Sequence, residues 1–86
     1  MKVTLPTPLV DYTGGLREVD ANGATLDDLL HDLDRQYAGI RFRMIDEQGQ
    51  IRAHIKLFVN AELERSLGAA LATSDAVIIV AALSGG

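Results

Sequence analysis

The group in the chain that could most readily take part in a reaction is the C-terminal carboxylate of Gly86, which follows Gly85 at the end of the 86 residues. Two glycines preceded by small residues make a narrow peptide that can enter an enzyme tunnel in which any Cβ would clash. The carboxylate itself would then react. Attack on the α-phosphate of ATP would form an acyl-adenylate, and sulfide could displace AMP from it to leave a thiocarboxylate. The plainer alternative is a frayed terminus without a function.

Side chains give weaker support for catalysis. The sequence lacks cysteine, which removes thiolate nucleophiles, disulfides and thiolate metal sites. His31 and His54 have no metal-ligand spacing. Asp28 and Asp32 lie four residues apart on the polar side of a predicted helix, where solvated acids are common. We therefore predict a protein that enzymes act on, with no catalytic activity, metal or cofactor of its own.

Composition narrows the classes of partner. Twelve acidic and eight basic residues give a net charge of −4, which disfavours nucleic acid and anionic membranes as partners. No apolar run approaches the roughly 20 residues of a membrane span, and the N-terminus does not open with an apolar signal segment. Hydrophobic residues at 48% suffice for one packed core. We expect a single cytoplasmic domain over residues 1–86.

The first half of the chain predicts a hairpin followed by a helix. Residues 2–10 alternate polar and apolar side chains as a strand does, and residues 16–19 return as a second strand after a glycine-containing turn. Thr25 is a good N-cap for a helix with a leucine stripe, which Gly39 is placed to end in a left-handed conformation. The apolar stripe of this helix needs a sheet to cover it.

The second half predicts three strands after a connecting segment over residues 40–52. A third strand over residues 54–60 alternates, a short edge strand follows within residues 62–66, and residues 76–80 form a continuously apolar strand. The first and last strands would lie adjacent in the middle of the sheet. The fold class is therefore α+β, a mixed sheet packed on one main helix, with residues 81–86 as a flexible reactive tail.

Several segments together carry a resemblance to a known family: the hairpin, the helix start Thr25-Leu26, the strand end Phe58-Val59-Asn60, the turn Ser74-Asp75-Ala76-Val77 and the terminus Leu83-Ser84-Gly85-Gly86. They resemble the β-grasp, ubiquitin-like sulfur carriers, which include the thiamine carrier, the small subunit of molybdopterin synthase and the cysteine-pathway carrier. The hairpin tip, the segment from residue 40 to 55 and the length are most similar to the actinobacterial cysteine-pathway carrier. Ala81-Ala82 departs from the Pro-Pro pair common in the molybdopterin subunit.

The resemblance implies a sulfur carrier that donates sulfur to cysteine or another sulfur metabolite. It implies adenylation and thiocarboxylation at Gly86, with Leu83, Ser84 and Gly85 threading into partner enzymes. The implied partners are an E1-like adenylyltransferase that uses ATP and an acceptor such as a PLP-dependent cysteine synthase. A molybdopterin synthase subunit and a protein modifier conjugated through Gly86 remain alternatives.

Strand alternation also predicts a docking surface for such partners. With Val77 and Ile79 facing the helix by analogy with the ubiquitin-like register, Phe58, Ile78 and Val80 point to the other face of the sheet. Three large apolar side chains on an open face indicate a surface that a partner covers. The alternative is that residues 40–52 fold over this face and bury it.

Overall fold

The sheet is built around its first and last strands, which pair in parallel at its centre. The computed structural model describes residues 1–82, and its strand order is β2-β1-β5-β3-β4, with every pair other than β1–β5 antiparallel. The elements are β1 (Lys2–Thr4), β2 (Glu18–Asp20), α1 (Leu26–Gln36), β3 (Ile55–Val59), β4 (Glu62–Glu64) and β5 (Ala76–Ala81), with 3₁₀ helices at Thr7–Thr13 and Arg41–Arg43. This is the predicted mixed sheet with one main helix.

Helix α1 begins as its sequence predicts. The hydroxyl of Thr25 accepts a hydrogen bond from the backbone N–H of Asp28 at 3.2 Å, which satisfies one of the free donors at the helix start. Just before the helix, a Cβ on Gly23 would clash with the backbone nitrogen of Leu29, so only glycine fits there. The leucine stripe is fully buried: Leu26, Leu29, Leu30 and Leu33.

The prediction for residues 2–10 is wrong beyond the first strand. Strand β1 ends at Thr4, and a 3₁₀ helix replaces the expected continuation. The reason is that Pro6 and Pro8 have no N–H for a strand partner, and Pro8 suits the first turn of a helix. Gly14 ends this helix at a φ of 68°. Leu9, an apolar residue of the alternating segment, is nevertheless buried within this 3₁₀ helix.

The connecting segment packs on the helix side of the sheet. Ile40, Met44 and Ile45 are fully buried in the same core cluster as the α1 leucines. Ile45 also bridges to Ile51 across a turn at Gly49, whose φ is 77°. The segment thus contributes three of its apolar side chains to the main core, while Phe42 stays exposed. Within residues 1–82, α1 spans eleven residues, and no helix reaches the length and apolarity of a membrane span.

Candidate functional site

The predicted reactive residues Leu83, Ser84, Gly85 and Gly86 lie outside the described residues, so the described site is the surface from which that segment departs. The tail was expected to begin at residue 81, which is too early. Ala81 belongs to β5 and is the register partner of Ile55, and the N–H of Ala82 donates to the carbonyl of His54 at 2.7 Å. Backbone pairing therefore holds the chain to the sheet through residue 82.

The three predicted docking residues lie together on the face of the sheet opposite the helix. Phe58 and Ile78 are register partners across β3 and β5, and Val80 follows Ile78 on the same face. Ile78 is 38% exposed and Val80 39% exposed, whereas Phe58 is half-buried. The alternative that residues 40–52 cover this face is wrong, because Ile40, Met44 and Ile45 of that segment pack into the opposite core, and Ile78 and Val80 remain exposed.

Leu63 belongs to the same surface, although the sequence reasoning did not name it. It is the register partner of Phe58 across β3 and β4 and is 42% exposed. The alternation of Glu62, Leu63 and Glu64 was a signal for it, since it places one apolar side chain opposite two acids on a short edge strand. We call the surface formed by Phe58, Leu63, Ile78 and Val80 the open apolar face.

A hydrogen-bonded clamp at Asn60 fixes the register of this face. Asn60 has a φ of 50° in the turn after β3, a left-handed conformation that asparagine tolerates better than most residues. Its side-chain NH₂ donates to Asp75 at 2.7 Å, and its side-chain oxygen accepts from the N–H of Ala76 at 2.9 Å. These two hydrogen bonds tie the turn after β3 to the start of β5. They give a structural role to two of the sequence segments singled out above, Val59-Asn60 and Ser74-Asp75.

The carboxylate of Asp75 is held in its charged form. It accepts from the backbone N–H of Ala72 at 2.8 Å and from Asn60, and these bonds lower the pKa of Asp75 below its usual range. The carboxylate therefore stays ionised and serves the turn before β5. The role of Asp75 is therefore structural: its carboxylate accepts the hydrogen bonds that hold this turn.

The other candidate polar residues of the sequence also serve structural contacts or face solvent. Asp32 accepts from the backbone N–H of Asn22 at 2.9 Å and from Arg35 at 2.7 Å, and the first of these bonds is the main cause that lowers its pKa. Nε2 of His31 lies 3.5 Å from Oδ2 of Asp27 on the exposed side of α1, and His54 is exposed. Residues 1–82 contain no cluster of three or more His, Cys, Asp or Glu residues suited to a metal ion.

An open groove of about 830 Å³ lies where the chain leaves β5. Ala81 and Ala82 form one side, and Tyr12, Arg43 and Arg52 are among its other walls. The Nε–H of Arg43 donates to the hydroxyl of Tyr12, and this bond raises the pKa of Arg43, so the guanidinium is charged. The base of the predicted reactive segment is therefore flanked by two arginines.

Comparisons with known proteins agree with this fold and extend over nearly the whole chain. The family model described as the ThiS family matches residues 3–86. The sulfur carrier protein CysO of Mycobacterium tuberculosis is 37% identical over 89 residues, covering 98% of this chain and 96% of that protein. A crystal structure of M. tuberculosis CysO matches with a TM-score of 0.90 and 36% identity, covering 95% of this chain and 98% of that chain.

Two further solved structures extend the comparison. CysO of Amycolatopsis orientalis, crystallised in a complex with BexX, matches at a TM-score of 0.89 and 33% identity, covering 99% of this chain and 98% of that chain. SAMP1 of Haloferax volcanii, a small archaeal modifier protein, matches at a TM-score of 0.80 and 30% identity, covering 100% of this chain and 98% of that chain. The relatives are thus sulfur carriers and small modifiers.

Proposed function

The chain belongs to the ThiS family, and from this membership we propose that it is a sulfur carrier whose Gly86 carboxylate is converted to a thiocarboxylate. The observation that carries the proposal is the match to sulfur carrier protein CysO over nearly the whole chain. The terminal Gly85-Gly86 pair falls within the residues that the family model matches.

The proposed chemistry takes place on the terminal carboxylate in two steps. A carboxylate oxygen attacks the α-phosphorus of ATP, and pyrophosphate leaves to give the acyl-adenylate. Sulfide then attacks the carbonyl carbon, and AMP leaves with the electron pair of the broken C–O bond. The thiocarboxylate keeps the transferred sulfur without any cysteine in the carrier, which agrees with a sequence that has none. An acceptor enzyme then takes the sulfur for cysteine or another sulfur metabolite.

The proposal includes partner enzymes that hold the carrier while its terminus reacts. We propose an E1-like adenylyltransferase that uses ATP and an acceptor such as a PLP-dependent cysteine synthase, in the cytoplasm, where ATP is available. The solved complex of A. orientalis CysO with BexX supports a carrier that works bound to other proteins. On this chain we assign the docking role to Phe58, Ile78 and Val80 of the open apolar face, with Leu83, Ser84 and Gly85 threading into the enzyme.

Intact-mass spectrometry tests the proposal. The chain is incubated with the adenylyltransferase of its own organism, ATP and a sulfide source, and the expected product has one oxygen replaced by sulfur. A chain that ends at Gly85 is the control and should keep its mass if the enzyme requires the full Gly-Gly terminus. An unchanged mass for the full chain, with an enzyme shown to bind it, would reject the sulfur-carrier proposal.

The similarity to SAMP1 favours a second candidate, a protein modifier. The adenylate forms in the same way, and a lysine amine then attacks the carbonyl of Gly86 to form an isopeptide bond as AMP leaves. Conjugates linked through Gly86 in a cell lysate would support this candidate, whereas free thiocarboxylate alone would support the carrier. A third candidate, the small subunit of molybdopterin synthase, would use the same thiocarboxylate, and it predicts a stable complex with a large subunit.

A further inference from the structure

The basic side chains of this acidic protein fall into two groups. Four of the eight lie outside the grooves described below: Lys2, Arg35 and Arg41, which are in ion pairs with carboxylates, and Arg17, which donates to the Thr7 hydroxyl. The other four line those grooves and are in no ion pair among residues 1–82: Arg43, Arg52, Lys56 and Arg65. We call these last four residues the basic margin. Its charges are not used to stabilise the described part of the fold through ion pairs.

The basic margin lines two adjoining grooves. Arg43 and Arg52 lie on the groove where the chain leaves β5, and Arg52, Lys56 and Arg65 lie on a second groove of about 480 Å³. The two grooves share Arg52 in their walls. One acid lines each of them, Asp11 in the first and Glu64 in the second, so positive charge is in excess on this side of a protein whose net charge is −4.

The margin borders the open apolar face directly. Lys56 is the register partner of Val80 and therefore projects from the same face of the sheet. Leu63, at the edge of that face, also lines the second groove. Lys56 and Leu63 thus connect the open apolar face to the second groove, and Arg52 connects that groove to the one where the chain leaves β5.

Two of the margin's guanidinium groups are held in place before any partner arrives. Arg52 donates through Nε to the carbonyl of Phe42 at 2.8 Å and lies 4.7 Å from the centre of the Phe42 ring. Arg43 donates to Tyr12. These contacts restrict each side chain and leave its remaining N–H donors available. Fixed charges lose less side-chain entropy on binding than free ones.

We infer that the basic margin receives an acidic surface of a protein partner, one that places an apolar centre on the open apolar face and carboxylates opposite the four basic residues. The inference rests on the proposed function, in which an enzyme grips the folded body while Gly86 reacts. Charge complementarity at the rim of an apolar contact mainly speeds association and fixes orientation. A protein fits better than a nucleic acid, because four basic residues around an apolar face on a chain of net charge −4 are a poor match for a phosphate backbone.

The test compares two double variants that lose the same charge. The variant Lys56→Gln with Arg65→Gln removes two exposed members of the margin. The matched control, Arg17→Gln with Arg35→Gln, also removes two exposed basic residues, one just before β2 and one in α1. Association rate constants of each full chain with its organism's adenylyltransferase are measured at low and at physiological salt. We expect the margin variant to associate at least about threefold more slowly at low salt, with a weaker salt dependence, and the control to match the original protein. Equal effects in both variants, or no effect in the margin variant, would overturn the inference.

A second probe separates this inference from the proposed function. A glutamate decamer is titrated against the isotopically labelled full chain by NMR, with a lysine decamer as the control and a short RNA duplex as the competing class. Salt-dependent shifts at the basic margin with the glutamate peptide alone support the inference even if no thiocarboxylate ever forms. Absence of those shifts, or tighter binding of the RNA at the same residues, would overturn it.

Discussion

Strand β5 carries similar side chains on both faces of the sheet, yet those on one face are buried and those on the other are exposed. Val77 and Ile79 are at most 2% exposed beneath the helix, whereas Ile78 and Val80 are 38% and 39% exposed on the other side. Hydrophobicity alone does not separate these residues, since all four are β-branched and apolar. The covering elements do: among residues 1–82, α1 and the segment after it pack on one face and no element packs on the other. One face therefore stabilises the fold, and the other remains available for binding.

The sharpest way to break this comparison is to truncate the two neighbouring isoleucines one at a time. Ile79→Ala leaves a cavity in the core and should lower the free energy of unfolding by about 2–5 kcal/mol. Ile78→Ala removes the same atoms from the open face and should change it by about 1 kcal/mol or less. Urea unfolding of both variants gives the measurement. Equal losses would show that the open face is covered in the protein in solution.

The next effect concerns binding at the open face. Phe58→Ala should weaken binding to the adenylyltransferase or the acceptor enzyme by about 1–3 kcal/mol, because a large apolar contact is lost. Titration calorimetry with either enzyme measures it, and Leu16→Ala, an exposed apolar side chain outside this face, is the matched control. A large fall in melting temperature with unchanged affinity would instead place Phe58 in the core.

Both faces depend on the register of β3 and β5, which the Asn60 clamp helps to hold. Asn60→Ala removes the side-chain bonds to Asp75 and Ala76 and places a less tolerant residue at positive φ. We expect a loss of about 1–2 kcal/mol in unfolding free energy. Asn60→Asp is the informative companion, since it keeps the acceptor for Ala76 and sets a like charge against Asp75. It should not restore stability, and full stability in either variant would contradict the role of the clamp.

The smallest expected effect is a dependence of folding stability on pH. Because the pKa of Asp75 is lowered in the folded state, its carboxylate contributes stability above the usual aspartate pKa, and that contribution is lost as the pH falls from about 4 through the folded value. Melting temperatures of the original protein and of Asp75→Asn should therefore differ most near neutral pH and converge in acid. Two parallel curves would show that the hydrogen bonds to Asp75 do not carry a pH-dependent contribution.

Much of this fold follows from local rules that a sequence expresses directly. The cap at Thr25, the leucine stripe of α1 and the alternation of β3 each depend on residues within one element, and the structure confirms them. The predicted extent of the first strand is wrong because the alternation over residues 2–10 runs through Pro6 and Pro8, which end the strand and favour a 3₁₀ helix. Leu63 was missed because the alternation that indicates it spans only the three residues of a short edge strand.

The sequence by itself determined the main helix, the central pairing of the first and last strands, the absence of cysteine thiols and the Gly85-Gly86 terminus that directs the functional proposal. Only the tertiary structure decided which side of β5 stays open, because periodicity places alternate residues on opposite faces without saying what covers either one. The tertiary structure also decided that four basic residues gather in the basic margin. Arg43 and Arg65 are far apart in the sequence, and only the folding of the chain brings them to adjoining grooves beside the open apolar face.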